Sequence, residues 1–151
     1  MYTQSTAVRG ALSPLAHAHE ASTQTLAIYK ELFNDADGTA AYLRSHRAAL
    51  RAAYAAVTAT LMLHDIPFIA AEAGIFVLLD LRAYLPQPTY RAEATLWKLI
   101  FDVCNVNLTP GHVMHVKDPG WFRLCFAAVP TPDAVEAVQR LARLLRKQTR
   151  T

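Results

Sequence analysis

An α+β fold, with helices layered on a small and mostly antiparallel sheet, is the class this sequence of 151 residues predicts. Three observations predict it. Long Ala- and Leu-rich stretches carry apolar residues three and four apart, as helices do. Two bulky apolar runs, Ile75–Leu81 and Trp121–Ala127, read as buried strands. The order helix, helix, strand, strand, helix, strand, helix places these pieces in layers.

Residues 13–33 read as a first helix, with Ser13 as N-cap and Pro14 at the first position. Residues 34–38, NDADG, read as a turn. Thr39 then caps a long helix through Leu63, in which Ala40, Leu43, Arg47, Leu50, Tyr54, Val57 and Leu61 recur at helical spacing. His64-Asp65 ends it. Ile66–Ala70 reads as a short strand held to a sheet edge by Pro67, which has no N–H to give a ladder. Ile75–Leu81 is the first apolar strand, and Pro86-Gln87-Pro88 marks a loop. Tyr90–Val103 is a helix carrying Leu96, Trp97, Leu99 and Ile100. Val106–Leu108 and Val113–Val116 read as short extended pieces between turns marked by Pro110-Gly111 and Pro119-Gly120. After the Trp121–Ala127 strand, Thr131 as N-cap and Pro132 at the first position open a last helix to about Lys147.

The chain can bury one sizeable core. Its hydrophobic content is 53%. Either an apolar surface covered by something else or the Ala-rich helical composition accounts for that figure. The formal charge is a modest +3 with scattered basic residues and no nucleic-acid motif, so nucleic acid is not an expected partner. No stretch approaches the ~18 uninterrupted apolar residues of a membrane span. The first 19 residues hold Arg9, several Ser and Thr and no acid until Glu20, faintly like an organellar transit peptide, although a truncated helix entry is the favoured reading. Cys104 and Cys125 are the two cysteines, and in apolar surroundings they read as reduced, buried thiols of a cytoplasmic protein. The pairs His17/His19 and His112/His115 lack the further ligands of a metal shell, so no metal is expected. The C-terminal run Arg140, Arg143, Arg146, Lys147, Arg150 reads as the solvated face of a packed helix, backed by Val135, Val138, Leu141 and Leu145.

Arg123 is the chemically informative residue. It lies inside an apolar strand, and a guanidinium cannot shed its charge. Its planar fork matches a carboxylate through two parallel hydrogen bonds. The anion is either a carboxylate of the chain, such as Asp80, Glu72 or Asp118, or that of a ligand.

The residues around Arg123 carry a family resemblance. PGWFRLCFA at 119–127, preceded by NLTPG at 107–111, resembles the C-terminal part of the class I/II aminotransferase family. These are pyridoxal-phosphate (PLP) enzymes of fold type I, and the 1-aminocyclopropane-1-carboxylate synthase-like branch is the most similar. Ser22-Thr23-Gln24-Thr25 resembles the family's S-S-Q-T segment, and Glu72-Ala73-Gly74-Ile75-Phe76 with Asp80-Leu81-Arg82 resembles its N-A-G-L-F…D-L-R strand. Leu96-Trp97 lies in the matching helix, so the resemblance runs in order over roughly residues 7–147.

That resemblance implies the small C-terminal domain of the fold for residues 39–151, with residues 1–38 a helical segment belonging to the large domain or the connection to it. It implies PLP as cofactor, an amino acid as substrate, and Arg123 as the group that grips the substrate carboxylate. Glu72, Gly74 and His112 are implied pocket-lining positions. Glu72 departs from the family's usual Asn and is placed to repel or compete with a carboxylate. His112 departs from a small residue. Lys30, Lys98, Lys117 and Lys147 are the only lysines, and none stands in the family's S-x-S-K context. The expectation is therefore a chain with no catalytic residue of its own and no covalent PLP link when alone. It would work as part of a transaminase or lyase with a missing large domain or subunit, or stand as a homo-oligomeric binding protein.

Overall fold

In a computed structural model, residues 4–19 and 21–148 are described. They form five helices, α1 (Thr6–His19), α2 (Thr23–Asn34), α3 (Ala36–Leu63), α4 (Tyr90–Cys104) and α5 (Thr131–Gln148), and four strands, β1 (Phe68–Ile69), β2 (Phe76–Asp80), β3 (Thr109–Pro110) and β4 (Trp121–Cys125). The chain divides into two compact units, Met1–Ser45 and His46–Thr151.

The first unit is helical and nearly coreless. The single helix expected over residues 13–33 is instead α1 and α2, with Pro14 inside α1 rather than at a helix start. Ser22 begins the second helix because its hydroxyl accepts the Thr25 N–H at 3.2 Å, a cap that competes with helix continuation. The cap of α3 is Asp35, whose carboxylate accepts the Gly38 N–H at 2.9 Å; Thr39, expected in that role, donates its hydroxyl to the Leu32 carbonyl. No residue of α2 is buried, and Leu26, Ile28, Leu32 and Phe33 are all more than half exposed.

The second unit holds the core. Its sheet runs β1-β2-β4-β3, every neighbouring pair antiparallel. β1 lies at an edge, as Pro67 requires. Side chains alternate across each strand. Val77 and Leu79 of β2 and Phe122 and Leu124 of β4 point inward, where Val57 and Leu61 of α3, Leu96 and Ile100 of α4 and Val138 and Leu141 of α5 meet them. Phe76, Leu78 and Asp80 stand opposite Cys125, Arg123 and Trp121 on the other face, which stays partly open.

Two expected extended pieces differ. Residues 106–108 form no ladder, because the Leu108 carbonyl is taken by the Trp97 indole N–H at 2.9 Å; pairing begins at Thr109. Residues 111–114 wind into one turn of 3-10 helix instead of a strand, closed by His115 N–H on the His112 carbonyl and Val116 N–H on the Gly111 carbonyl. Helix α4 starts where the Thr89 hydroxyl accepts the Ala92 N–H and stops at left-handed Asn105.

Candidate functional site

Arg123 sits at the middle of β4, paired with Leu78 on one side and Thr109 on the other. Alternation puts its side chain on the open sheet face, half-buried. Its Nη2 donates to the Thr109 hydroxyl at 3.3 Å, and its guanidinium carbon lies 4.2 Å from the centre of the Phe76 ring. The aromatic face supports a cation, and the hydroxyl takes one of five donors. Nε is buried and has no hydrogen-bond partner.

Among the described residues no carboxylate pairs with Arg123. Asp80 is engaged by Arg82, which donates Nε at 2.9 Å and Nη2 at 2.7 Å to its two oxygens. Those Arg82 hydrogen bonds hold the Asp80 carboxyl below its ordinary range, against a smaller opposing effect of burial. Arg82 also stacks on Trp121 at 4.7 Å. Asp118 is exposed on the loop before β4. Glu72 is exposed and lines a cleft of about 510 Å³ with Arg47, Arg51, Tyr54, Gly74 and Phe126. Gly74 bounds that cleft at φ +85°, a conformation that suits glycine. The intramolecular candidates for the arginine's anion are thus placed elsewhere, and the fork remains available.

Glu93 carries no motif that marks it in the sequence. It is fully buried on α4, and its carboxylate accepts the His112 backbone N–H at 3.2 Å, the His112 ring Nδ1–H at 2.7 Å and the Gly120 N–H at 2.6 Å. His112 therefore does more than line a surface: its side chain, 44% exposed, is tied to Glu93 and meets Tyr90 edge to face. The signal in the sequence was spacing. Glu93 falls on the buried stripe of α4 with Leu96, Ile100 and Cys104.

The four lysines are exposed. Lys98 pairs with Asp102 at 2.8 Å on the surface of α4, while Lys30, Lys117 and Lys147 are exposed on other segments. Of Lys98, Lys117 and Lys147, which share a unit with Arg123, none lines the cleft or meets the guanidinium.

The α+β fold is similar to that of solved aminotransferases. The fold matches the aromatic aminotransferase of Pyrococcus horikoshii with a TM-score of 0.67 at 16% identity, over 79% of this chain and 30% of that one. It matches the aspartate aminotransferase of Thermus thermophilus with a TM-score of 0.65 at 19% identity, over 76% of this chain and 28% of that one. The sequence matches the family "Aminotransferase class I and II" over residues 1–141, and the chain belongs to that family. Its curated relatives include 1-aminocyclopropane-1-carboxylate synthases. That of Vigna radiata is 36% identical over 106 residues, 70% of this chain and 29% of the relative. That of Glycine max is 33% identical over 120 residues, 80% of this chain and 25% of the relative. The 1-aminocyclopropane-1-carboxylate synthase-like protein 1 of Bos taurus is 36% identical over 128 residues, 84% of this chain and 25% of the relative. The chain thus spans about a quarter to a third of the length of these relatives. Pyridoxal phosphate is the family's cofactor. Among the described residues no helix is long and apolar enough to cross a membrane.

Proposed function

We propose that this chain supplies the substrate-carboxylate-binding domain of a PLP-dependent enzyme of the aminotransferase or 1-aminocyclopropane-1-carboxylate synthase-like type, acting on an amino acid. Residues 39–151 are the small domain in this reading, and residues 1–38 a helical segment of the large-domain side. Arg123 grips the carboxylate in this reading, while Glu72 and Gly74 line the separate cleft with Arg47 and Arg51, and His112 is held by Glu93. The observation that carries the reading is the arginine itself. It is half-buried, with Nε unpartnered and no acid among the described residues opposite it. A charge held this way in a sheet has a use for an external anion. The chain carries no lysine fit to hold PLP, so catalysis in this reading needs the large domain, whether covalently continuous or a separate subunit.

A second reading rests on α2. Leu26 and Phe33 on one face of the helix, and Ile28 and Leu32 on the opposite one, are exposed apolar area that a second copy of the chain is suited to cover, giving a binding or oligomeric protein without catalysis.

The test is a nitrogen–proton NMR titration of the 151-residue chain with L-alanine, and in parallel with L-alaninamide, which lacks the carboxylate. L-alanine should move the Arg123 Nε–H resonance, and L-alaninamide should not. Equal responses to both, or backbone amide shifts of β4 on adding L-alanine that persist in Arg123→Met, would remove the proposed role.

A further inference from the structure

Glu93 reaches two turns distant in the chain. Its Oε1 takes both His112 donors, one residue beyond the 3-10 helix start that follows β3; its Oε2 takes the N–H of Gly120, the residue just before β4. β3 and β4 are the strands that set Thr109 opposite Arg123. The surroundings leave little slack. A Cβ on Gly111 would stand 3.0 Å from the Trp121 carbonyl and 3.4 Å from Glu93 Oε2. Gly120 holds φ +103°, and a Cβ there would meet Arg82 Cγ at 2.8 Å.

We infer that Glu93 is the positioning residue of the carboxylate grip: by clasping the end of β3 and the start of β4 with one carboxylate, it fixes the spacing of Thr109 and Arg123. The chemistry requires a carboxylate. Both oxygens must accept, and an amide of the same shape offers one acceptor and one donor. Fully buried, Glu93 is shut off from a ligand in solvent, so it acts through Arg123 and not on the ligand. The role in ligand binding rests on the function proposed above; the positional claim does not.

The experiment compares the wild-type chain with Glu93→Gln and with Val138→Ala, a buried α5 truncation that lowers stability away from the clasp. Two readouts are taken: the Arg123 Nε–H resonance without ligand, and the L-alanine affinity. Glu93→Gln should shift the resonance and weaken L-alanine binding roughly tenfold, since small misplacements of a binding group are costly; Val138→Ala should change neither. A folded Glu93→Gln chain with wild-type resonance and affinity overturns the inference. Should Glu93→Gln not fold, His112→Ala removes the shorter of the two Oε1 hydrogen bonds, 2.7 Å against 3.2 Å for the retained backbone N–H, at a side chain 44% exposed. An unmoved Arg123 resonance in that variant overturns it equally. If the wild-type chain ignores L-alanine while Glu93→Gln still moves Arg123, the proposed function fails and the positional claim stands.

Discussion

Replacing Arg123 by Met should leave the stability of the chain nearly unchanged. Methionine keeps an unbranched apolar stem against Phe76 and removes the charge. The losses are small. The bond to the Thr109 hydroxyl is long at 3.3 Å, and such a bond contributes about 0.5–1.5 kcal/mol net. The guanidinium over Phe76 at 4.2 Å adds about 0.5–2 kcal/mol. Against these stands the relief of a buried, unpartnered Nε, about 1–3 kcal/mol. The terms offset, and the variant should lie within about 1.5 kcal/mol of the wild type by this balance. An arginine paired to a buried carboxylate behaves differently, because its removal strands the partner and costs about 3–5 kcal/mol. Urea unfolding followed by the fluorescence of Trp97 and Trp121 separates the two cases. The midpoint should barely move, and the slope should not change. A loss of about 3 kcal/mol or more at constant slope would mean an ion pair holds Arg123 in place, and the reasoning from its free fork would be wrong.

Two further outcomes are expected. The chain incubated with PLP and then dialysed should retain no cofactor absorbance, because its lysines are exposed and dispersed; a retained band abolished by borohydride would refute this. Iodoacetamide should modify Cys125, which lies half-buried on the open sheet face, well before Cys104. Burial pushes the Cys104 thiol above its ordinary range, with nearby Arg140 and Arg143 only partly opposing, so little thiolate forms. Mass spectrometry of the peptides reads the order, and early labelling at Cys104 would count against the packing of α4 on α5.

Strands, long helices and Arg123 were legible in the sequence because their signals are local or periodic. Trp121–Cys125 alternates burial residue by residue, and Ala53, Val57 and Leu61 recur at four-residue steps. The misses share a cause: each was settled by a hydrogen bond to a distant or competing partner. The 3-10 turn at Gly111–Met114 forms where His112 is drawn to Glu93, 19 residues back. Residues 106–108 leave the sheet because Trp97 claims a carbonyl. The helix break before Thr23 follows a serine cap that looks no stronger in sequence than Ser13.

Glu93 shows the same limit at the site. A glutamate in the first turn of a helix ordinarily favours the dipole and faces water, so its composition signal points outward. Only its phase with Leu96 and Ile100 points inward, and a lone acid on an apolar stripe does not reveal which donors it meets. Those donors are backbone N–H groups, which every sequence has and none advertises. The visible arginine and the hidden glutamate therefore belong to one argument. Arg123 can be found by its charge in the wrong place, but what aims it is a buried carboxylate whose partners exist only once β3 and β4 have closed around it.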